Sequence, residues 1–267
     1  MQRLLITLSL FATLLLSACG GDDTPASGQP VDDSQGHGIN IAFVNTWQGE
    51  PLKLDEVYTA PSGQRFKLNF AKYIASGVIA YKKGGGEHFI KDSYQIIDAT
   101  AEDGKTVFSA GNIPVGEYTG YSFFIGLPKK TNHLDPVSEL GEGHPLFDPE
   151  MHWSWNPDAG FKFMSVLGKV DIAEPLEEGD LKTALEYEIA EDSRLTEIKT
   201  LQGQPLTVTD ADLGKSTTYT VNVEWTKLFE GIDLQEEYFT HSTGSGAALA
   251  DRLSENWPAM FSVASAQ

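Results

Sequence analysis

The pattern that most limits what this chain can fold into is an apolar/polar alternation of period two, repeated in short segments that glycine and proline interrupt. Ile39, Ile41 and Phe43 alternate with Asn40, Ala42 and Val44. Successive side chains leave a strand on opposite faces, so this is the signature of a half-buried strand. The turn residues Pro61-Ser62-Gly63 precede a long β-branched and aromatic run from Arg65 to Tyr81, and Gly84-Gly85-Gly86 breaks it. Strand-like segments recur at 95–98, 106–108, 116–127, 151–155, 161–167, 181–189, 196–201, 206–208 and 217–225, with Asn156-Pro157-Asp158-Ala159-Gly160 as a turn. After Gly244-Ser245-Gly246, the residues Leu249, Leu253, Trp257 and Met260/Phe261 recur at helical spacing. The expectation is an all-β fold: an antiparallel, immunoglobulin-like β-sandwich with long loops and a short C-terminal helix. With no internal repeat and no second linker, a single domain is expected over 38–265.

One connection stands apart. Residues 129–150 form a long polar stretch with Pro136, Pro145 and Pro149 and two histidines, His133 and His144. A loop of that length inside a compact domain is usually functional or disordered.

The N-terminus carries an address. Met1-Gln2-Arg3 is positive, Leu4 to Leu16 is almost unbroken apolar sequence, and Leu16-Ser17-Ala18-Cys19 supplies small residues before a cysteine. These are the parts of a signal peptide, with an apolar region too short to span a bilayer. Leu-Ser-Ala-Cys resembles the lipobox of bacterial lipoproteins, which implies cleavage before Cys19 and diacylglycerol on its sulfur. The expected organisation is a signal at 1–18 and a flexible tether at 19–37, poor in apolar residues. Each buried acyl CH₂ contributes roughly 0.8 kcal/mol, so the lipid alone tethers the domain to a membrane. Gly20, not Asp, follows the cysteine, which leans towards the outer membrane facing the periplasm, or the cell surface.

Composition removes several classes of function. The formal charge is −19, and loss of the signal with Arg3 makes the mature chain one unit more negative. Such a field repels phosphate backbones, so no nucleic-acid partner is expected. With Cys19 as the single cysteine, there is no disulfide, no thiolate nucleophile and no cysteine metal site. A transition metal must be held by histidine, carboxylate, methionine or something derived from an aromatic side chain. The histidines are His37, His88, His133, His144, His152 and His241. His37 and His88 fall in the tether and beside a glycine run, and read as solvated surface. There is no nucleophile elbow, His-Glu-x-x-His helix or phosphate loop. The acidic pairs Glu177-Glu178 and Glu236-Glu237 read as surface, so the chain is not expected to be an enzyme.

The most unusual stretch is Met151-His152-Trp153-Ser154-Trp155-Asn156, with Gly160-Phe161-Lys162-Phe163-Met164 after it. On a strand, Trp153 and Trp155 share a face with Met151, and His152 points away. From pattern alone the tryptophans are core aromatics and His152 is surface. The block nevertheless resembles the "M-x-W-x-W … G-[YF]-x-F" signature of the methanobactin-associated copper-binding protein family (MbnP-like). Gly49-Glu50-Pro51-Leu52, Ser62-Gly63-Gln64, Lys72-Tyr73-Ile74-Ala75-Ser76, Asn132-His133-Leu134-Asp135-Pro136, Pro145-Leu146 and Phe261-Ser262-Val263 resemble its other blocks in order. The likeness covers most of 38–263.

The resemblance implies an envelope β-sandwich that holds Cu(I) through two histidines and an oxidised tryptophan (kynurenine), the oxidation being performed by a dihaem cytochrome c peroxidase-like partner. The candidate metal residues are His133, His144, His152, Trp153, Trp155 and His241. The chain departs from the family at Tyr187-Glu188-Ile189-Ala190, where Glu188 stands at a usual histidine position. Two readings follow. One is a non-catalytic copper-binding lipoprotein for sequestration or delivery. The other is a metal-free β-sandwich module that contacts another envelope protein or a glycan through exposed aromatics.

Overall fold

A computed structural model describes residues 36–101, 105–153, 159–173 and 181–264. The signal at 1–18, Cys19, nearly all of the tether, Trp155, the turn at 156–158 and Glu177-Glu178 lie outside the described residues.

The strands are β1 (His37–Trp47), β2 (Glu50–Pro51), β3 (Val57–Thr59), β4 (Arg65–Lys82), β5 (Glu87–Asp98), β6 (Lys105–Ile113) and β7 (Gly116–Ile125). They continue with β8 (Lys162–Val170), β9 (Thr183–Ala190), β10 (Thr196–Ile198), β11 (Gln202–Val208), β12 (Ser216–Glu224), β13 (Phe239–Thr240) and β14 (Phe261–Val263). The α-helices among the described residues are α1 (Lys129–Asn132), α2 (Ala247–Glu255) and α3 (Trp257–Met260). The smaller sheet runs β14-β12-β1-β2, with β6 also on β1. The larger runs β10-β7-β4-β8-β9-β13, with β11 on β7 and with β3 and β5 on β4.

The fold is the all-β sandwich that the alternation implies, closed by a short C-terminal helix. Most ladders are antiparallel, while β1–β12 and β9–β13 are parallel. β4 is 18 residues long because it serves several partners. Tyr73 pairs with Ile97 of β5 and Met164 of β8, and Ala75 with Gln95 of β5 and Ile125 of β7. Hence β5 lies along one edge, and β8 then β7 along the other.

The core lies between the sheets. On β1 the alternation puts Ile39, Ile41 and Phe43 fully inside. Phe43 meets Tyr73, Phe123 and Phe261 edge-on, with centroids 5.8, 5.4 and 6.2 Å away. Burying each such ring contributes roughly 1.5–3 kcal/mol. The strand begins one residue earlier than expected, and His37 is not solvated surface. It is 5% exposed, with Nδ1 2.9 Å from the Asp212 carbonyl and Nε2 2.8 Å from Thr217 Oγ1. The cause is pairing on both edges of β1, with β6 and β12, which carries the ladder to its first residues. His88 is a half-buried member of β5.

Two local expectations change. The single closing helix is split: α2 ends at Glu255, α3 carries Pro258 in its first turn, and Phe261 already belongs to β14. Proline has no N–H with which to continue an incoming helix, but it fits a first turn. The expected strand at 151–155 is not one over its described part. Pro149–Met151 is a 3₁₀ turn, capped by the Asp148 side chain accepting from Glu150 N, and His152 makes only an isolated bridge to Phe161. A proline after an aspartate favours this capped turn over a ladder.

The polar loop has structure of its own. It holds α1 and a wide turn at Pro136–Leu140, whose Asp135 cap accepts from Val137 N and Ser138 N. Leu146 and Met151 are fully buried. Lys72, beside the core residue Tyr73 and therefore on the opposite face of the sheet, reaches Asp148 at 2.8 Å. The loop thus lies over the outer face of β4 and β8, and it is there that the chemistry collects.

Candidate metal centre

β9 alternates Leu185, Tyr187 and Ile189, all buried in the core, with Glu186 and Glu188 on the other face. Two carboxylates therefore stand one above the other. β13 pairs parallel with β9, Phe239 opposite Glu186 and Thr240 opposite Tyr187. The next residue, His241, is delivered beside the two acids. Its Nε2 lies 2.6 Å from Glu186 Oε1 and 3.5 Å from Glu188 Oε2.

The loop that carries His241 is fixed from behind. Ser242 has φ +67°, and its hydroxyl donates to Glu188 O at 2.7 Å while accepting from Ala190 N at 2.7 Å. A side chain here replaces the backbone rungs that a continuing strand would make. Arg194, 6% exposed, donates to the carbonyls of Ala190, Ser242 and Ala247 and to the Asp251 carboxylate. Its planar fork suits several acceptors at once.

Trp153 closes the group from the loop side. It is 3% exposed, its ring centroid lies 6.5 Å from that of His241, and its indole Nε1 donates to Glu188 Oε2 at 2.8 Å. From β8, Lys162 Nζ donates to Glu188 Oε1 at 2.5 Å, with only 12% and 9% of the two side chains exposed. Both oxygens of Glu188 are therefore engaged. Trp153 N donates to Gly160 O at 3.3 Å, which sets Trp153 beside the start of β8. At Gly160 (φ +75°) a Cβ would stand 2.4 Å from Asn132 O, so only glycine lets Asn132 approach and accept from Phe161 N.

The remaining sequence candidates go elsewhere. His133 lies 3.3 Å from the Asp192 carboxylate, which also accepts from Asn132 Nδ2. Burial would raise the Asp192 carboxyl, but the bonds from Asn132 and His133 outweigh it and hold the group below its usual range. His144 Nδ1 accepts from Leu146 N at 3.1 Å and so closes its own turn. His152 is 4% exposed, edge-on to Phe161 at 4.9 Å, and its Nε2 has no hydrogen-bond partner among the described residues. Burial lowers its pKa, Asp135 opposes that, and Lys162 adds to it. Trp155 lies outside the described residues.

Among the described residues, the group of ligating side chains that can converge on one ion is Glu186, Glu188 and His241, with ligand atoms within 4.8 Å of one another. It unites His241, Trp153 and the departure at Glu188. Glu186 was not singled out from sequence, though its place two residues before Glu188 on a strand puts it on the same face. Lys162, Arg194 and Ser242 had no signal, because what recommends each is a partner distant in sequence.

The donor set has chemical consequences. Cu(I) is soft, and a low-coordinate site for it needs neutral donors such as sulfur or several imidazoles. One imidazole with two carboxylates does not fit that pattern. It does fit a borderline divalent ion, and a mixed nitrogen and oxygen set is typical of Cu(II).

Comparison with known proteins gives the lineage. The family model described as MbnP matches residues 36–244. Among solved structures, the chain resembles MbnP from Methylosinus trichosporium at 14% identity and a TM-score of 0.47, covering 73% of this chain and 78% of that one. No curated protein matches it. The match of the family model spans most of the chain, and the chain belongs to the MbnP family.

Proposed function

We propose that this protein is an envelope lipoprotein that binds copper as Cu(II), for sequestration or delivery and without catalysis. The observation that carries the reading is the convergence of Glu186, Glu188 and His241 against the buried indole of Trp153. His241 would supply the nitrogen, Glu186 and Glu188 the anionic oxygens, and Trp153 a dry wall that orients Glu188. For a nitrogen and oxygen site the order of divalent affinities favours copper over zinc. Charge supports it too, since a formal −19 draws cations to the surface. Family membership and the MbnP-like tryptophan block favour copper as the ion, and the lipobox-like Leu16-Ser17-Ala18-Cys19 favours anchoring at the outer membrane or cell surface. A kynurenine-based Cu(I) site made by a dihaem partner is not part of this proposal, because Glu188 replaces the imidazole that such a site needs.

Dialysis of the full-length chain against Cu(II), then metal analysis, tests the reading. One equivalent retained by the wild type and lost in His241→Ala supports it. No retained copper, or retention unaffected by His241→Ala, overturns it. A second reading, a metal-free module that docks to another envelope component, is favoured by the engagement of Glu188 with Lys162. It is the outcome if no divalent ion is retained.

A further inference from the structure

We infer that Lys162 is a built-in competitor of the metal: its ammonium holds Glu188 until an entering divalent cation displaces it, and this sets the affinity of the site. The inference rests on the proposed cation site and adds a specific residue to its regulation.

Lys162 is the first residue of β8 and pairs with Ala190 of β9, and the register shifts between Lys162 and Met164. An extra residue in one strand re-aims the side chains beside it. Lys162 therefore reaches along the outer face to Glu188 in place of extending into water. Its ammonium meets Glu188 Oε1 at 2.5 Å, on the same carboxylate whose Oε2 faces His241 at 3.5 Å.

Two cations cannot share that carboxylate cheaply. Their mutual repulsion is weakly screened where both side chains are largely withdrawn from water. A dication that takes Glu188 must push the ammonium away. The lysine stem is flexible and can carry its charge outward along the protein surface. Lys162 thus lowers affinity and offers a route for release, because its return to Glu188 accompanies departure of the ion. Among the described residues no cationic side chain pairs with Glu186 other than His241, whose Nε2 lies 2.6 Å from Glu186 Oε1.

The test uses the full-length chain and Cu(II) itself, buffered by a competing chelator. Lys162→Gln, which keeps a hydrogen bond to Glu188 but not the charge, and Lys162→Met are expected to tighten Cu(II) binding at least ten-fold. His241→Ala is expected to abolish binding in every background. Amine labelling with mass-spectrometric readout gives an independent measure: Lys162 should be protected in the metal-free wild type and labelled when Cu(II) saturates the site. Binding that depends on His241 but is no tighter in either Lys162 variant, or labelling of Lys162 that does not rise with copper, overturns the competitor while leaving the site in place. Absence of His241-dependent binding in the wild type and both variants overturns the site itself.

Discussion

Replacing Glu188 by alanine should destabilise the protein far more than loss of an average acidic residue. Glu188 is 7% exposed, and its oxygens are the partners of the Lys162 ammonium and the Trp153 indole N–H. Its removal leaves a charge at a side chain that is 12% exposed, and an N–H on a residue 3% exposed, both without that acceptor. Breaking a buried ion pair from one side costs about 3–5 kcal/mol, and orphaning a buried donor about 1–3 kcal/mol. The two share one environment and do not add, and Lys162 can relieve part of its cost by bending towards water. The expectation is about 3–4 kcal/mol, read as a lower urea midpoint with unchanged slope. With a shift of about 2–4 °C per kcal/mol for a domain of this size, Tm should fall by roughly 6–16 °C. Lys162→Met with Glu188→Leu removes both charges and loses only the bond donated by Trp153, so about 1–2 kcal/mol should remain. The control is Glu56→Ala, whose partner Lys53 is 66% exposed, and which should be near neutral. A Glu188→Ala loss below about 1 kcal/mol, or a double variant as unstable as the single one, would show that the Lys162–Glu188 pair is not held as a buried ion pair.

Three further outcomes are expected. Burial holds His152 below its ordinary pKa of about 6.5, so the unfolded chain binds the proton more readily. Its contribution to stability is full above about pH 6.5 and is lost as the pH falls from there through the lower folded value. Urea midpoints across that window should fall more steeply for the wild type than for His152→Leu, and parallel profiles would contradict this. Gly160→Ala, with its Cβ 2.4 Å from Asn132 O, should cost about 2–3 kcal/mol, and an unchanged Tm would show that the approach is not tight. Arg194→Lys, which cannot serve three carbonyls and Asp251 together, should cost about 2–3 kcal/mol and weaken copper binding by loosening the loop of His241. Unaltered affinity in a destabilised variant would separate the clamp from the site.

The sandwich was legible because period-two alternation is a local signal. Ile39, Ile41 and Phe43 declare an inward face whatever strand lies beside them. The parallel partnership of β1 with β12 was not legible, since nothing in either segment specifies a neighbour so distant in sequence. The stretch before Trp153 misled for a physical reason: Met151 and Trp153 alternate like a strand, but Asp148-Pro149 imposes a capped turn. At the site, His241, Trp153 and the departure at Glu188 were visible as residues, and their meeting was not. His133 and His144 had the right chemistry, yet Asp192 and the Leu146 amide engage them. Lys162 carried no signal at all, because what marks it is a carboxylate on another strand.

If His241, with Glu186 and Glu188, forms a Cu(II) site, electron paramagnetic resonance of the copper-loaded chain reads its ligands. The expected spectrum shows mixed nitrogen and oxygen ligation with a single imidazole nitrogen, lost in His241→Ala and altered in Glu188→Gln. A spectrum of aquated or nonspecifically held copper, or one carrying two or more imidazole nitrogens and insensitive to His241, would contradict it.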